Sequence, residues 1–177
     1  MSGAILVEND LRFDFTRAIK ATHIDKPNRA ESECSAIVDF IVELPEELLY
    51  IEVKDPGNVA TSQEDFQNFF NKFKSKELSK TLAKKCRDTF FSEYVMDHIE
   101  KPIYFIAIVE FGNRVFPRYT SQIDKLKKCL FIDKLPQQST NHRVVKNGMI
   151  MDVDAWNMHS KLKQFPISRI NTTSNQL

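Results

Sequence analysis

The chain has 177 residues, 42% hydrophobic and 28% charged, with a formal net charge of +1. That length supports one sizeable core rather than two, and the composition is that of a globular domain, not of a disordered or fibrous chain. No uncharged apolar run is long enough to cross a bilayer, the opening MSGAILVEND lacks the basic start and apolar stretch of a secretory signal, and Cys34, Cys86 and Cys129 stand far apart with no CxxC pair. A disulfide framework and a structural zinc are therefore not expected, and a reducing cytoplasm is the expected compartment.

Leu11, Phe15, Ala18, Ile19 and Thr22 recur at helical spacing, which predicts a first helix from about Leu6 to Thr22 with Glu8 on the same stripe. DKPNR reads as a loop. AIVDFIV and LLYIEVK then read as two strands broken at Pro45 and Glu46, the second ended by Pro56-Gly57-Asn58. Thr61-Ser62-Gln63-Glu64 has the form of a capping box. Phe66, Phe69, Phe70 and Phe73, then Leu78, Leu82, Cys86, Phe90 and Tyr94, predict one helix over 62–98 or two joined near Ser75. Ile103 to Phe111 is a continuous β-prone run, expected as a central strand. A helix follows from Ser121 to about Phe131, and Asn147-Gly148 between two apolar runs predicts a hairpin. Asp152 and Asp154 alternate on the expected strand beyond it, facing solvent, and Trp156 is expected in the core. Residues 1–170 form the expected domain, and 171–177 have nothing to bury. The order of elements suggests a mixed β-sheet flanked by helices, an α/β fold.

Charge breaks the pattern in the two apolar runs, which carry Asp39, Glu52 and Lys54. If they pair as an antiparallel hairpin about Pro45 and Glu46, Val38, Phe40, Val42 and Leu44 share an apolar face with Leu49, Ile51 and Val53. Asp39 then faces Glu52 on the other side, with Lys54 and Tyr50. Cross-strand neighbours lie roughly 5 Å apart, within reach of one shared cation. Without a cation the carboxylates repel, so Asp39→Ala is expected to leave the fold intact. Charge is also segregated along the chain. Acids dominate from Glu31 to Asp65, bases from Lys72 to Arg87, and Arg114, Arg118, Lys125, Lys127, Lys128, Arg143 and Lys146 add a second basic region. Lys72, Lys76, Lys80 and Lys84, at four-residue steps, would line one side of a helix and could track a phosphate backbone. His23, His98, His142 and His159 are scattered, with no Ser or Cys partner that suggests a triad.

Val38-Asp39, a short hairpin and Glu52-Val53-Lys54, followed by a long helical region, resemble the PD-(D/E)xK nucleases. Val38 stands where that pattern has a proline, and the motif covers about the first third of the chain. The resemblance implies a restriction-endonuclease-like fold in which Asp39 and Glu52 bind Mg²⁺ or Mn²⁺. The Val53 carbonyl would be a further ligand and Lys54 the catalytic cation. A further acid would come from the helix before the hairpin, Glu8 being the best match and Asp14 or Glu31 the alternatives. Lys84, Lys85 and Arg87 would meet nucleic acid nearest the site. The implied function is a metal-dependent endonuclease cutting DNA in restriction, phage defence or repair. The other reading is a catalytically inactive module of the same fold that serves nucleic-acid binding or assembly. DNA and RNA are not distinguished by the sequence. No recognition domain is evident, so target choice would come from a partner protein or a second chain, a homodimer included.

Overall fold

The computed structural model describes residues 3–24, 36–112, 120–130 and 145–170. The first elements are strands β1 (Ile5–Glu8), β2 (Leu11–Asp14), β3 (Lys20–His23), β4 (Phe40–Glu43) and β5 (Leu48–Lys54). Helices α1 (Gln63–Lys74) and α2 (Glu77–Val95) lead to β6 (Ile103–Val109), α3 (Thr120–Leu130) and β7 (Val145–Met151). Helix α4 (Val153–Met158), a 3₁₀ turn (Leu162–Gln164) and β8 (Ile167–Arg169) follow. The class is α/β with a mixed main sheet in the order β3-β4-β5-β6-β7, antiparallel through β5 and parallel from β5 to β7, and a separate antiparallel sheet β1-β2-β8. No helix among the described residues is long and apolar enough to cross a membrane.

The main sheet is covered on both faces. On one, the small sheet and α4 bring Phe13, Phe15, Trp156 and Ile167 against Phe40, Val42, Ile51, Val53 and Ile106. On the other, the long helices bring Phe73, Leu78, Leu82, Cys86 and Leu126 against Tyr50, Phe105, Ala107 and Val109. β6 is central, as its unbroken apolar run predicts, and is buried on both faces. Trp156 lies in the core, its indole N–H donating to the Phe165 carbonyl at 2.6 Å.

Four local expectations are corrected. The first helix is instead three strands. Leu11, Phe13 and Phe15 are buried and alternate with the less buried Arg12 and Asp14, a two-residue period that shares Leu11 and Phe15 with a helical stripe. Asn9, at φ 56°, makes the tight turn into β2, a conformation asparagine tolerates. The capping box is displaced by one residue: the Ser62 hydroxyl accepts from the Asp65 N–H at 3.0 Å and donates to the Asp65 carboxylate. Asn147-Gly148 is not a hairpin turn, because β7 runs straight through it, parallel to β6. A Cβ at Gly148 would meet Leu130 Cδ1 at 2.5 Å, so the glycine there serves the approach of α3 to the strand. Asp152 and Asp154 are helical, Asp152 capping α4 by accepting from the Ala155 N–H at 2.7 Å.

The open question of one helix or two resolves at Ser75, whose hydroxyl accepts from the Glu77 N–H at 3.1 Å and donates to the Lys72 carbonyl at 3.0 Å. The expected tail at 171–177 lies outside the described residues.

Gly57, just past β5, sits where a Cβ would lie 2.2 Å from the Phe111 carbonyl carbon and 2.5 Å from the Gly112 nitrogen. Both are backbone atoms that cannot turn aside. Gly57→Ala is expected to lower stability by about 1–3 kcal/mol through overpacking, read as a lower urea midpoint at unchanged slope.

Candidate functional site

The β4–β5 pairing has the expected register, Phe40 opposite Ile51 and Val42 opposite Leu49. At Asp39 it slips. The Asp39 N–H donates to the Ile51 carbonyl at 3.1 Å, so two residues of the incoming chain oppose one of β5, the pattern of a bulge. Alternation breaks there too, and Val38 packs into the helix-side core instead of joining Phe40. Beyond the slip the Val53 N–H bonds to a side chain: Asp39 Oδ2 accepts from it at 2.7 Å. A residue's N–H and C=O point to the same edge of a strand, so the Val53 carbonyl faces Asp39 as well.

Glu52 lies on the helix side of β5 and is 0% exposed. Its Oε1 accepts from Lys54 Nζ and forms an ion pair at 2.6 Å with Lys85 Nζ, which reaches down from α2. Its other oxygen, Oε2, is buried with no hydrogen-bond partner among the described residues. Burial pushes the Glu52 carboxyl above its ordinary value, Lys54 and Lys85 pull it down, and Asp39 raises it. Through its bond to the Val53 N–H the Asp39 carboxylate lies beside the residue next to Glu52, near enough to act on it, and Lys54 is half-buried against Glu52.

Helix α2 also fixes the chain entering Asp39. Thr89 Oγ1 accepts from the Val38 N–H at 3.0 Å and donates to the Lys85 carbonyl at 2.8 Å, while Asp88 Oδ2 accepts from the Ala36 N–H at 2.9 Å. One helical turn thus holds the strand that carries Asp39 and the lysine that meets Glu52.

The structure brings Asp39, Glu52, Val53, Lys54 and Lys85 together. It does not bring Glu8. Glu8 accepts from or donates to His23 Nε2 through a 3.0 Å pair, and the His23 ring sits edge-on to Phe40, 5.0 Å away, on the opposite face of the sheet. Glu8 comes from β1, a strand and not the helix expected before the hairpin. Asp14 is engaged with Thr16 on the small sheet, and Glu31 lies outside the described residues. The expected lysine stripe is interrupted: Lys72 lies in the last turn of α1, Lys76 precedes α2, and of the four only Lys80 and Lys84 share α2. All four are exposed, as is Arg87, and Lys84 pairs with Asp88 at 2.6 Å. Lys85 turns inward, not toward solvent.

Lys85 has a sequence signal. Leu78, Leu82, Lys85 and Thr89 follow at four-, three- and four-residue steps, one helix face with a lysine among buried positions. A second group, invisible at sequence level, lies at the end of β5. Arg169 donates from Nη1 and Nη2 to the two carboxylate oxygens of Asp55 at 2.8 and 3.0 Å, and from Nη1 to Asp10 at 2.5 Å.

Two carboxylates and a backbone carbonyl are hard oxygen donors of the kind Mg²⁺ and Mn²⁺ accept. Among the described residues, no three His, Cys, Asp or Glu side chains group so as to hold a metal ion. No protein-family model, curated protein or solved structure matches the chain.

The expectation that Asp39→Ala leaves the fold intact is revised, because Asp39 accepts from a buried backbone N–H. Asp39→Ala is expected to cost about 1–3 kcal/mol in urea unfolding, and Asp39→Asn less, because its amide oxygen still accepts from Val53. Equal losses for the two variants would remove that bond from the account.

Proposed function

We propose that this chain is a metal-dependent nuclease that hydrolyses phosphodiester bonds in DNA, with a restriction-endonuclease-like domain of the PD-(D/E)xK kind. The observation that carries the reading is the meeting of Asp39, Glu52 and Lys54 at the end of one hairpin, with a buried Glu52 oxygen left without a hydrogen-bond partner among the described residues. An unpartnered buried carboxylate oxygen costs free energy in a merely structural ion pair and is suited to a cation. The antiparallel hairpin followed by a helical crossover into the parallel strand β6 also supports it. The preceding element departs from the expected pattern, being strands.

Bound at Asp39, Glu52 and the Val53 carbonyl, Mg²⁺ or Mn²⁺ would supply Lewis acidity toward a phosphate oxygen. The protein's own groups do the remaining work. The Val53 N–H holds the Asp39 carboxylate in place. Lys54, at the rim, sets a fixed positive charge against the negative charge that grows on the phosphoryl oxygens. Lys80, Lys84 and Arg87, exposed on α2, offer sequence-independent contacts to the phosphate backbone. Target choice falls to a partner protein or a second chain, such as a homodimer.

A second reading has its own support. Glu52 is already neutralised by two lysines, which suits an inactive module of this fold that binds nucleic acid or assembles with other chains. Plasmid, linear and single-stranded DNA, and RNA, incubated with Mg²⁺, Mn²⁺ or EDTA, separate the two and identify the substrate. The nuclease reading expects cutting of DNA with either ion and none in EDTA. Lys54→Ala is expected to lower turnover by about 10²–10³-fold, as loss of one fixed charge at a transition state does. By calorimetry it should bind the ion at least as tightly as wild type, a positive charge beside Glu52 having been removed, whereas Glu52→Gln should lose affinity. Wild-type protein that neither binds a divalent ion nor cuts any of these substrates would leave the inactive module.

A further inference from the structure

Lys84 and Lys85 are neighbours on α2 with opposite fates. Lys84 is exposed beside Asp88, whereas the Lys85 side chain is only 12% exposed and ends on Glu52. Burying a lysine stem and its ammonium is costly unless the charge is met, and Glu52 meets it. Yet Lys54 meets the same carboxylate, and both ammoniums converge on Oε1 while Oε2 has no hydrogen-bond partner among the described residues. Two like charges on one oxygen repel each other. A structural ion pair would need only one of them, and spreading them over both oxygens would relieve the repulsion.

Charge counting gives the arrangement a use. Asp39 and Glu52 against Lys54 and Lys85 sum to zero, so the four buried or half-buried groups are balanced with no ion bound. One divalent cation would balance the two carboxylates by itself and leave two ammoniums uncommitted. A phosphodiester under attack by hydroxide carries two negative charges, which those two ammoniums match.

We propose that Lys85 is a resident counter-ion of Glu52 that competes with the divalent cation for the carboxylate and, once displaced, turns to the substrate phosphate. The proposal rests on the nuclease reading and concerns how its site is kept before an ion arrives. The exchange needs no movement of α2, which Thr89 and Asp88 tie to the chain at Val38 and Ala36. Only the lysine side chain has to swing.

The test compares wild type, Lys85→Met and Lys85→Arg for Mn²⁺ binding by calorimetry, for melting temperature in EDTA and in saturating Mn²⁺, and for DNA cleavage. A displaced competitor predicts that Lys85→Met binds Mn²⁺ at least about tenfold more tightly than wild type, since a unit charge close to the carboxylate is removed. It also predicts a lower melting temperature in EDTA, a larger gain on adding Mn²⁺, and cleavage reduced about tenfold or more at saturating ion, the phosphate having lost one cation. Lys85→Arg, which keeps the charge, should bind Mn²⁺ close to wild type. Binding no tighter in Lys85→Met than in wild type makes Lys85 a structural clamp and overturns the proposal while leaving the nuclease reading standing. Should Lys85→Met be unfolded in EDTA, folding on addition of Mn²⁺ supports the proposal, and failure to fold with Mn²⁺ overturns it. Wild type that binds no Mn²⁺ defeats both readings together, an outcome distinct from the first.

Discussion

Glu52 is a carboxylate sealed beneath a helix, and the surrounding architecture follows from keeping it charged there. An isolated ionised carboxylate in an apolar interior is untenable, so cations must come to it with short reach and fixed geometry. Lys54 comes from two residues along the same strand and Lys85 from the helix packed above. The second of these demands that α2 hold its height and rotation over β5. Leu78, Leu82 and Cys86, buried against Tyr50 and Phe105, set the height. Thr89 and Asp88, bonded to the incoming chain at Val38 and Ala36, set the rotation. The helix thus serves packing and electrostatics with one face, and a substitution on that face acts on both.

The slipped pairing at Asp39 answers a different need. Had the β4–β5 ladder continued, the Val53 N–H would have found a backbone carbonyl. The slip frees that N–H, and the Asp39 carboxylate takes it. A bulge next to a functional group is a means of aiming a side chain. Here it brings the Asp39 carboxylate to the Val53 N–H, one residue along β5 from Glu52. Stability and site geometry consequently share one hydrogen bond.

The hairpin was legible because its alternation is strict and its break at Pro45 and Glu46 unambiguous, which sets the register from Phe40 to Glu43 without further information. That register places Glu52 and Lys54 on one face, but the expected pairing of Asp39 with Glu52 does not form, because at the slip the Asp39 N–H bonds to the Ile51 carbonyl and its carboxylate takes the Val53 N–H. Val38 was misassigned because the rule of alternation fails at a bulge, and nothing in the sequence marks one. Leu11 and Phe15 fit a helical stripe as well as a strand, and only pairing with β1 and β8, the latter more than 150 residues away, decides between them. Gly148 misled for a related reason: a glycine beside asparagine serves a turn in one context and a close helix contact in another. Lys85 is expected with Lys84 and Arg87 to meet nucleic acid nearest the site, yet its place on the Leu78–Leu82–Thr89 face turns it inward to Glu52.

The site's other support comes from the far side of the sheet. Lys54 is followed at once by Asp55, whose side chain is 1% exposed and held by both arms of the Arg169 guanidinium. Arg169 ends β8, and it also meets Asp10 in the turn between β1 and β2, to which Asn58 donates at 3.0 Å. The small sheet, packed on the face opposite α2, therefore fixes the exit of the strand that carries Glu52 and Lys54, while α2 fixes the entry of the one that carries Asp39. A reacting site tolerates little displacement of its charged groups, and rigid elements hold them better than loops. Neither grip would serve alone, since each holds one strand of the hairpin. The C-terminal strand thereby supports the proposed site, its Arg169 joining Asp55, the residue after Lys54, to Asp10.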